Sequence, residues 1–545
     1  MSEIYIYLND DIKRRDLSVE PKNNNYIGSN FIEFLLDQQA KIFDASFDSK
    51  KPEVMEFAIA VLESVLDNDQ LSDKQIIKRN FFLATAYSNL ILIKQNSSDI
   101  DVWESEETDK YEKSILRFRK ALKIIDNYNL EELDSDLRLL KTRIYVNLGN
   151  VLSNLGRVIE GLEYSKLAQE TDPEYGMPQG SRGNKLFSYA LSLYDPGHQD
   201  LILKFSHYYC KQALTKNLDS KENAEIYEKV VRYIESDLNE SYLNTEYDMD
   251  SFSLGDSDDE RNYRKWCLDN NLFINPLNEL GSYPIAACDE LTLPSFVIEK
   301  NEWPIMIDFF NQIKQEYASA RYLFYESLRR PSSHHFSDND VKLIDLLDYS
   351  VYSLLNEKMK ISFRVMYSIF DKIAFVLNYY MTLEIPPEKV NFSKIWYIYN
   401  KNKKKFGKDL SPNFTDSTNT SLKALFWLSK DLYEYTDDGY YDSIEPDAKN
   451  WHEIRNYMEH RCVKIVEHPY GPPSKISNGP TKNDLMYTIN FEEFRQSNLK
   501  FLKLTRAAII YLCMAIHQEE VRRERIDPKI AGPIEPSLID DETKY

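Results

Sequence analysis

Apolar side chains recur at intervals of three and four from residue 31 onward: Phe31, Phe34, Leu35 and Ala40, then Ala58, Val61, Leu62 and Val65. That period puts them on one face of a helix, and it predicts successive amphipathic helices over residues 31–236. Residues 238–262 lose the period and gain acid, which predicts a connection. Tyr263–Gly281 is rich in aromatics, Asn and Pro. It is too apolar for a solvated linker and should pack against a neighbouring domain. From residue 303 the helices lengthen. Trp303–Leu328 is one, and Asp338–Met381 runs without Gly or Pro as one long helix or two. Ser421–Tyr435, Pro446–Glu467 and Phe491–Arg525 follow, divided by turn chemistry at Pro386–Pro387, Ser411–Pro412, Asp437–Gly439 and 471–480. Long helices joined this way make a helical bundle.

A 34-residue period runs through the first part. Gly149, Asn150 and Leu152 return as Gly183, Asn184 and Leu186. Tyr145, Leu148–Gly149, Leu152, Ala168 and Pro173 follow the order of a helix–turn–helix unit. The pattern resembles the tetratricopeptide repeat (TPR). Gly149 allows close helix approach, and Pro173 ends the second helix. The repeat is degenerate: Gly161 and Ser165 stand where the motif prefers Ala and an aromatic. Ala84, Tyr87, Phe118 and Ala121 fit a unit interrupted by a polar insert. Gly183, Tyr209 and Ala213 fit another.

The 545 residues imply two or three domains, and scarce Gly (15) and modest Pro (21) leave helix as the default. The net charge of −21 argues against a nucleic-acid coat. It is unevenly spread, however. From Asp340 onward there are 29 basic and 30 acidic residues, which leaves 38 and 58 before it. Any anionic ligand belongs with the second part. No apolar run is long enough to span a bilayer, and the start MSEIYIYLNDDIKRRD lacks the plan of a signal peptide. A cytoplasmic protein with no membrane contact is expected. Cys210, Cys267, Cys288, Cys462 and Cys513 are scattered fillers without a CxxC pair. No P-loop, GxGxxG, HExxH or nucleophile elbow occurs, so no cofactor and no metal is expected.

Chemistry concentrates in Glu445–His468. On a helix, His452, Arg455, Asn456, Glu459 and His460 form one polar stripe beside an apolar face. Arg455–Asn456–(three residues)–His460 is an Arg-x4-His pattern with Asn after Arg. It resembles the motif of the HEPN superfamily, helical bundles found in many RNA-cleaving toxins and defence nucleases. Ser362–Met381, the motif helix and Phe491–Arg525 together resemble the HEPN bundle. Trp266–Leu280 and the upstream repeats resemble a bacterial HEPN branch that carries TPR-like repeats.

The residue types suit metal-independent RNA cleavage. Imidazole moves protons near neutral pH, and a guanidinium holds phosphoryl oxygens. The resemblance implies that Arg455, Asn456 and His460 are catalytic and that a homodimer through the bundle brings two motif helices face to face. Glu459 could pair with Arg455. Asp371 resembles the acidic residue that faces the motif helix in this superfamily. His452 and Arg364, on the adjoining stripes, are further supporting candidates. Lys403, Lys404 and Lys405, with Lys401 and Lys408, form a basic loop suited to steering RNA. His334–His335 and Arg522, Arg523 and Arg525 carry weaker signals. Tyr457 is a candidate modification acceptor.

The expected fold is all-α: a TPR-like helical repeat array over 1–237, an acidic linker over 238–262, a connecting helical region over 263–337 packed on the bundle, a HEPN-like bundle over 338–526 and an acidic tail over 527–545. The expected function is a metal-independent endoribonuclease of bacterial stress or anti-phage defence, a toxin acting on RNA. Its repeats would take a protein partner or trigger. The competing reading is a non-catalytic HEPN/TPR scaffold that binds protein, nucleotide or RNA.

Overall fold

The computed structural model describes residues 29–65, 71–95, 103, 108–297, 304–329, 334–345, 350–415, 418–432, 444–467, 481–482, 484–526 and 538–544. Expectations for residues 1–28, for the loops at 433–443 and 468–480 and for most of the 527–545 tail lie outside them.

The described chain is helical with two small sheets. Nine helices come first: α1 (Ser29–Asp48), α2 (Pro52–Val65), α3 (Asp73–Gln95), α4 (Thr108–Ile125), α5 (Ser135–Asn154), α6 (Val158–Thr171), α7 (Gly176–Ala190), α8 (Pro196–Leu214) and α9 (Lys221–Asp237). Successive helices pack as hairpins, α3 with α4, α5 with α6, and α7 with α8, and each hairpin leans on the next. This is a helical repeat array.

Glycines allow close helix approach within it. A Cβ on Gly149 would stand 3.0 Å from the Gly161 carbonyl oxygen, and one on Gly161 would stand 2.9 Å from the Gly149 oxygen and 2.2 Å from Ser153 Oγ. The α5–α6 hairpin therefore closes glycine on glycine, which explains why residue 161 departs from the repeat pattern. In the turn between these helices Gly156 has φ +83°, and a Cβ there would meet the Thr420 carbonyl. The array thus rests directly on the second half of the chain.

The segment read as an acidic linker contains α10 (Glu240–Asn244) and buried Met249, whose carbonyl accepts from the Ile285 N–H. After α11 (Asp258–Asp269), two short 3-10 turns at Pro276–Glu279 and Pro284–Ala286 are wedged between array and bundle. Arg182 of α7 donates to the Glu279 and Leu280 carbonyls. Arg506, from the terminal helix, donates to the Phe273 and Asn275 carbonyls and pairs with Glu279.

The bundle comprises α12 (Ile305–Leu328), α13 (Leu354–Tyr380), α14 (Pro412–Thr415), α15 (Thr420–Leu432), α16 (Ala448–His460) and α17 (Phe491–Ile526). The middle of α17 is buried nearly all round, as befits a central helix packed by α13 and α15. Two expectations need correction. Among the described residues, the α-helix of the Asp338–Met381 run starts at Leu354. The residues before it include a 3-10 turn at Phe336–Asp338 and extended backbone, and Ser353 caps the helix by accepting from the Asn356 N–H. The motif helix stops at His460 instead of running to Glu467, because Val463, Ile465 and their neighbours form a strand.

That strand, β3 (Cys462–Val466), pairs in parallel with β5 (Met486–Asn490), which pairs antiparallel with β4 (Thr481–Lys482). Ser350 and Val351 join the other edge of β3. Val463, Ile465, Tyr487 and Ile489 alternate inward. A separate hairpin joins β1 (Tyr397–Asn400) and β2 (Lys405–Leu410).

Candidate functional site

Helix α16 buries Ala448, Trp451, Ile454 and Tyr457 against the bundle. Trp451 meets the Phe501 ring of α17, with centroids 5.5 Å apart, and Tyr457 meets Tyr487 of β5 at 5.7 Å. This apolar face fixes the rotation of the helix. His452, Arg455 and Asn456 then fall half-buried on the opposite flank, and Glu459 and His460 fall exposed in the last turn. Tyr457 is only 8% exposed, a poor position for a modification acceptor.

A short chain of hydrogen bonds runs along that flank. Arg455 Nη1 donates to Asn456 Oδ1 at 3.2 Å, and Asn456 Nδ2 donates to His452 Nε2 at 2.8 Å. Accepting this bond requires His452 to be unprotonated at Nε2. Its surroundings favour that state: burial pushes its pKa down, and the Arg455 charge pushes the same way against Glu453. Asn456 therefore orients His452 rather than His460.

Helix α13 supplies the wall facing Arg455. The guanidinium lies 5.8 Å from the Tyr367 ring centroid, an aromatic partner not foreseen from the sequence. One turn on, burial raises the Asp371 carboxyl against the lowering pull of the Phe392 N–H, Arg455 and Lys372. The Phe392 N–H donates to Asp371 Oδ1 at 3.2 Å. Asp371 is thus a half-buried carboxylate within the field of Arg455. Tyr367 and Asp371 are four residues apart on an apolar helix, which was the available signal.

Glu459 pairs with Arg364 at 3.1 and 3.3 Å, not with Arg455. With Arg364 about half exposed, at 47%, such a pair contributes roughly 0–1 kcal/mol.

His460 has no side-chain partner among the described residues. It lines a recess of about 390 Å³ with Glu453, Asn456, Tyr457 and Arg461. Arg455 is absent from that lining because its guanidinium is turned toward α13. A single chain therefore gathers Arg455, Asn456, His452, Tyr367 and Asp371, and Asn456 also lines the recess that holds His460.

Lys403, Lys404 and Lys405 occupy the turn and start of the β1–β2 hairpin, fully solvated, with none paired to a described carboxylate. Lys401 pairs with Glu384. His334 and His335 bond to Asn339 and Ser337. Arg522 and Arg523 pair with Glu519 and Glu520. Among the described residues no group of three or more His, Cys, Asp or Glu side chains could hold a metal, and no helix is long and apolar enough to cross a membrane.

No curated protein and no solved structure matches the chain. Residues 297–519 match a family model, that of the LA2681-like HEPN domains. The match takes in α12 through most of α17 and includes Arg455, Asn456 and His460. The C-terminal part of this chain is a HEPN-superfamily domain, similar over residues 297–519 to the LA2681-like HEPN domains.

Proposed function

We propose that this protein is a metal-independent endoribonuclease of bacterial stress or anti-phage defence, acting in the cytoplasm and governed by its repeat array. The observation that carries the reading is the Arg455–Asn456–His460 spacing on α16, with His460 exposed, lining a recess and without a side-chain partner among the described residues. Imidazole is the side chain suited to general acid–base work of this kind. The 2′-hydroxyl of RNA would attack the adjacent phosphorus, lose its proton to a base and expel the 5′-oxygen, which takes a proton in turn. Arg455, held by Asn456 and by the Tyr367 ring, would offset charge on the phosphoryl oxygens. Because the Arg455 guanidinium lies over Tyr367 and does not line the recess that holds His460, a second copy across a homodimer of the bundle would complete the site. The lysines of the β1–β2 turn would steer the polyanion, and a TPR-like array over 1–237 would receive a protein trigger.

The experiment is RNA cleavage by the purified protein in the presence of a chelator, with His460→Ala alongside. The wild type should cut and the variant should lose at least about a hundredfold in rate, the scale of a lost general acid–base group. Equal cleavage by the two would end the proposal.

The absence of Arg455 from the recess that holds His460 favours the second reading, a non-catalytic scaffold that binds protein, nucleotide or RNA. A protein that sediments as a monomer and binds RNA without cutting it would select that reading.

A further inference from the structure

The first turn of the motif helix is gripped from the array. Asp431, at the end of α15, is 0% exposed and lies between two array guanidiniums. Arg119 of α4 donates to its two carboxylate oxygens at 2.8 and 3.0 Å, and Arg157, at the start of α6, reaches it at 2.5 Å. Burial alone would raise the Asp431 carboxyl, but the two cations hold it well below the usual range. Arg119 also donates to the Ile444 carbonyl at 3.1 Å and stands 3.4 Å from the buried carboxylate of Glu445. The Glu445 carbonyl accepts from the Ala448 N–H, the first residue of α16, and its side chain takes Lys500 of α17 at 2.7 Å. One turn further along α4, Lys123 pairs with Asp447 at 3.2 Å, and the Asp447 carbonyl accepts from the Trp451 N–H.

Helix α16 begins without a side-chain cap, since Asp447 bonds no backbone N–H of the first turn. Its start is held by what grips residues 444–447, and two of those grips, Arg119 and Lys123, belong to the array. Arg157 shares Asp431 but otherwise bonds Glu160 and the Trp427 carbonyl, with no hydrogen bond or ion pair to residues 444–447.

We propose that Arg119 is a positioning residue for the motif helix: through Ile444 and Glu445 it sets the stance of α16, and a rotation of α4 within the array is transmitted to Arg455 and His460. The positioning claim stands on geometry. Its consequence for cleavage rests on the ribonuclease reading above.

The test is hydrogen exchange on the full-length protein, read on peptides spanning 448–460, for wild type, Arg119→Met and Arg157→Met. In each variant Asp431 keeps one guanidinium, and in Arg119→Met Glu445 keeps Lys500. Either change removes a charge-assisted buried bond, so array–bundle stability should fall similarly. Exchange in 448–460 should quicken about tenfold in Arg119→Met and stay near wild type in Arg157→Met. Arg119→Lys keeps a cation on Asp431 but loses the fork to Ile444. It should fall between, and it carries the comparison should Arg119→Met not fold. Unchanged exchange in Arg119→Met and Arg119→Lys, or equal quickening in Arg157→Met, overturns the proposal. With RNA as substrate, Arg119→Met should lower kcat and leave KM in place. A wild type that does not cut RNA removes the ribonuclease reading and leaves the exchange result to decide the positioning claim.

Discussion

His452 accepts its hydrogen bond from the amide of Asn456, and that bond decides which way Asn456 presents its carbonyl to Arg455. Protonation would make both ring nitrogens donors, turn the amide round and strip Arg455 of its acceptor. Because burial and Arg455 lower the folded-state pKa of His452 below 6.5, its contribution to stability is complete above that value. It is lost as pH falls through the folded pKa. Thermal midpoints of the wild type should therefore drop on acidification below about pH 6.5 more steeply than those of His452→Gln, whose carbonyl still accepts but does not titrate. Parallel pH profiles would contradict this. At this scale the sequence showed the polar stripe but not its pairings. Glu459 finds Arg364 and Asn456 finds His452, and helical spacing allows both outcomes equally. Asp371 was visible as a carboxylate on an apolar helix, whereas the role of Tyr367 depends on a rotamer of Arg455.

Among the elements, one close contact is the glycine-on-glycine crossing of α5 and α6. Gly161→Ala would restore the residue that the repeat pattern prefers, yet its Cβ would press on the Gly149 carbonyl, which is backbone and cannot step aside. Overpacking of this kind costs about 1–3 kcal/mol, so chemical denaturation should show the variant less stable by that amount. A neutral or stabilising effect would show that the hairpin can open. Helices with a clean apolar period were legible from the pattern, including α5, α6, α12 and α17. The strands were not. They are two to six residues long, and β3 follows His460 after a single residue, so its Val and Ile positions continue the motif helix on a helical wheel. The Asp338–Met381 run failed for a different reason. An absence of Gly and Pro permits a helix but does not start one, and the cap at Ser353 does.

For the molecule as a whole, the acidic array spends part of its charge on its own bundle. Glu112 meets Lys430 and Glu163 meets Lys503, beside the buried hub at Asp431. Aromatic contacts run with them: Trp103 lies against Phe414 and Phe426, and Tyr111 against Trp427. The charge asymmetry between the two parts was readable from composition, but its use here was not, since Arg119 and Asp431 lie 312 residues apart. A fragment of residues 263–545 would bare Phe426, Trp427 and Tyr511, aromatics of about 150–250 Å² each. It should elute as aggregate and brighten a hydrophobic dye, where the full chain does neither. A monodisperse, dye-silent fragment would refute this.

The pairing of Asp431 with Arg119 and Arg157 also imposes an order on synthesis. The array leaves the ribosome first, and its two arginines stay hydrated until the last third of the chain arrives. Residues 444–460 follow Asp431 closely, so the motif helix is translated after the array residues that grip its start and before the α17 residues that pack against it. A nascent chain carrying His460 is never without its array, whereas one that terminates within or just after the array lacks His460.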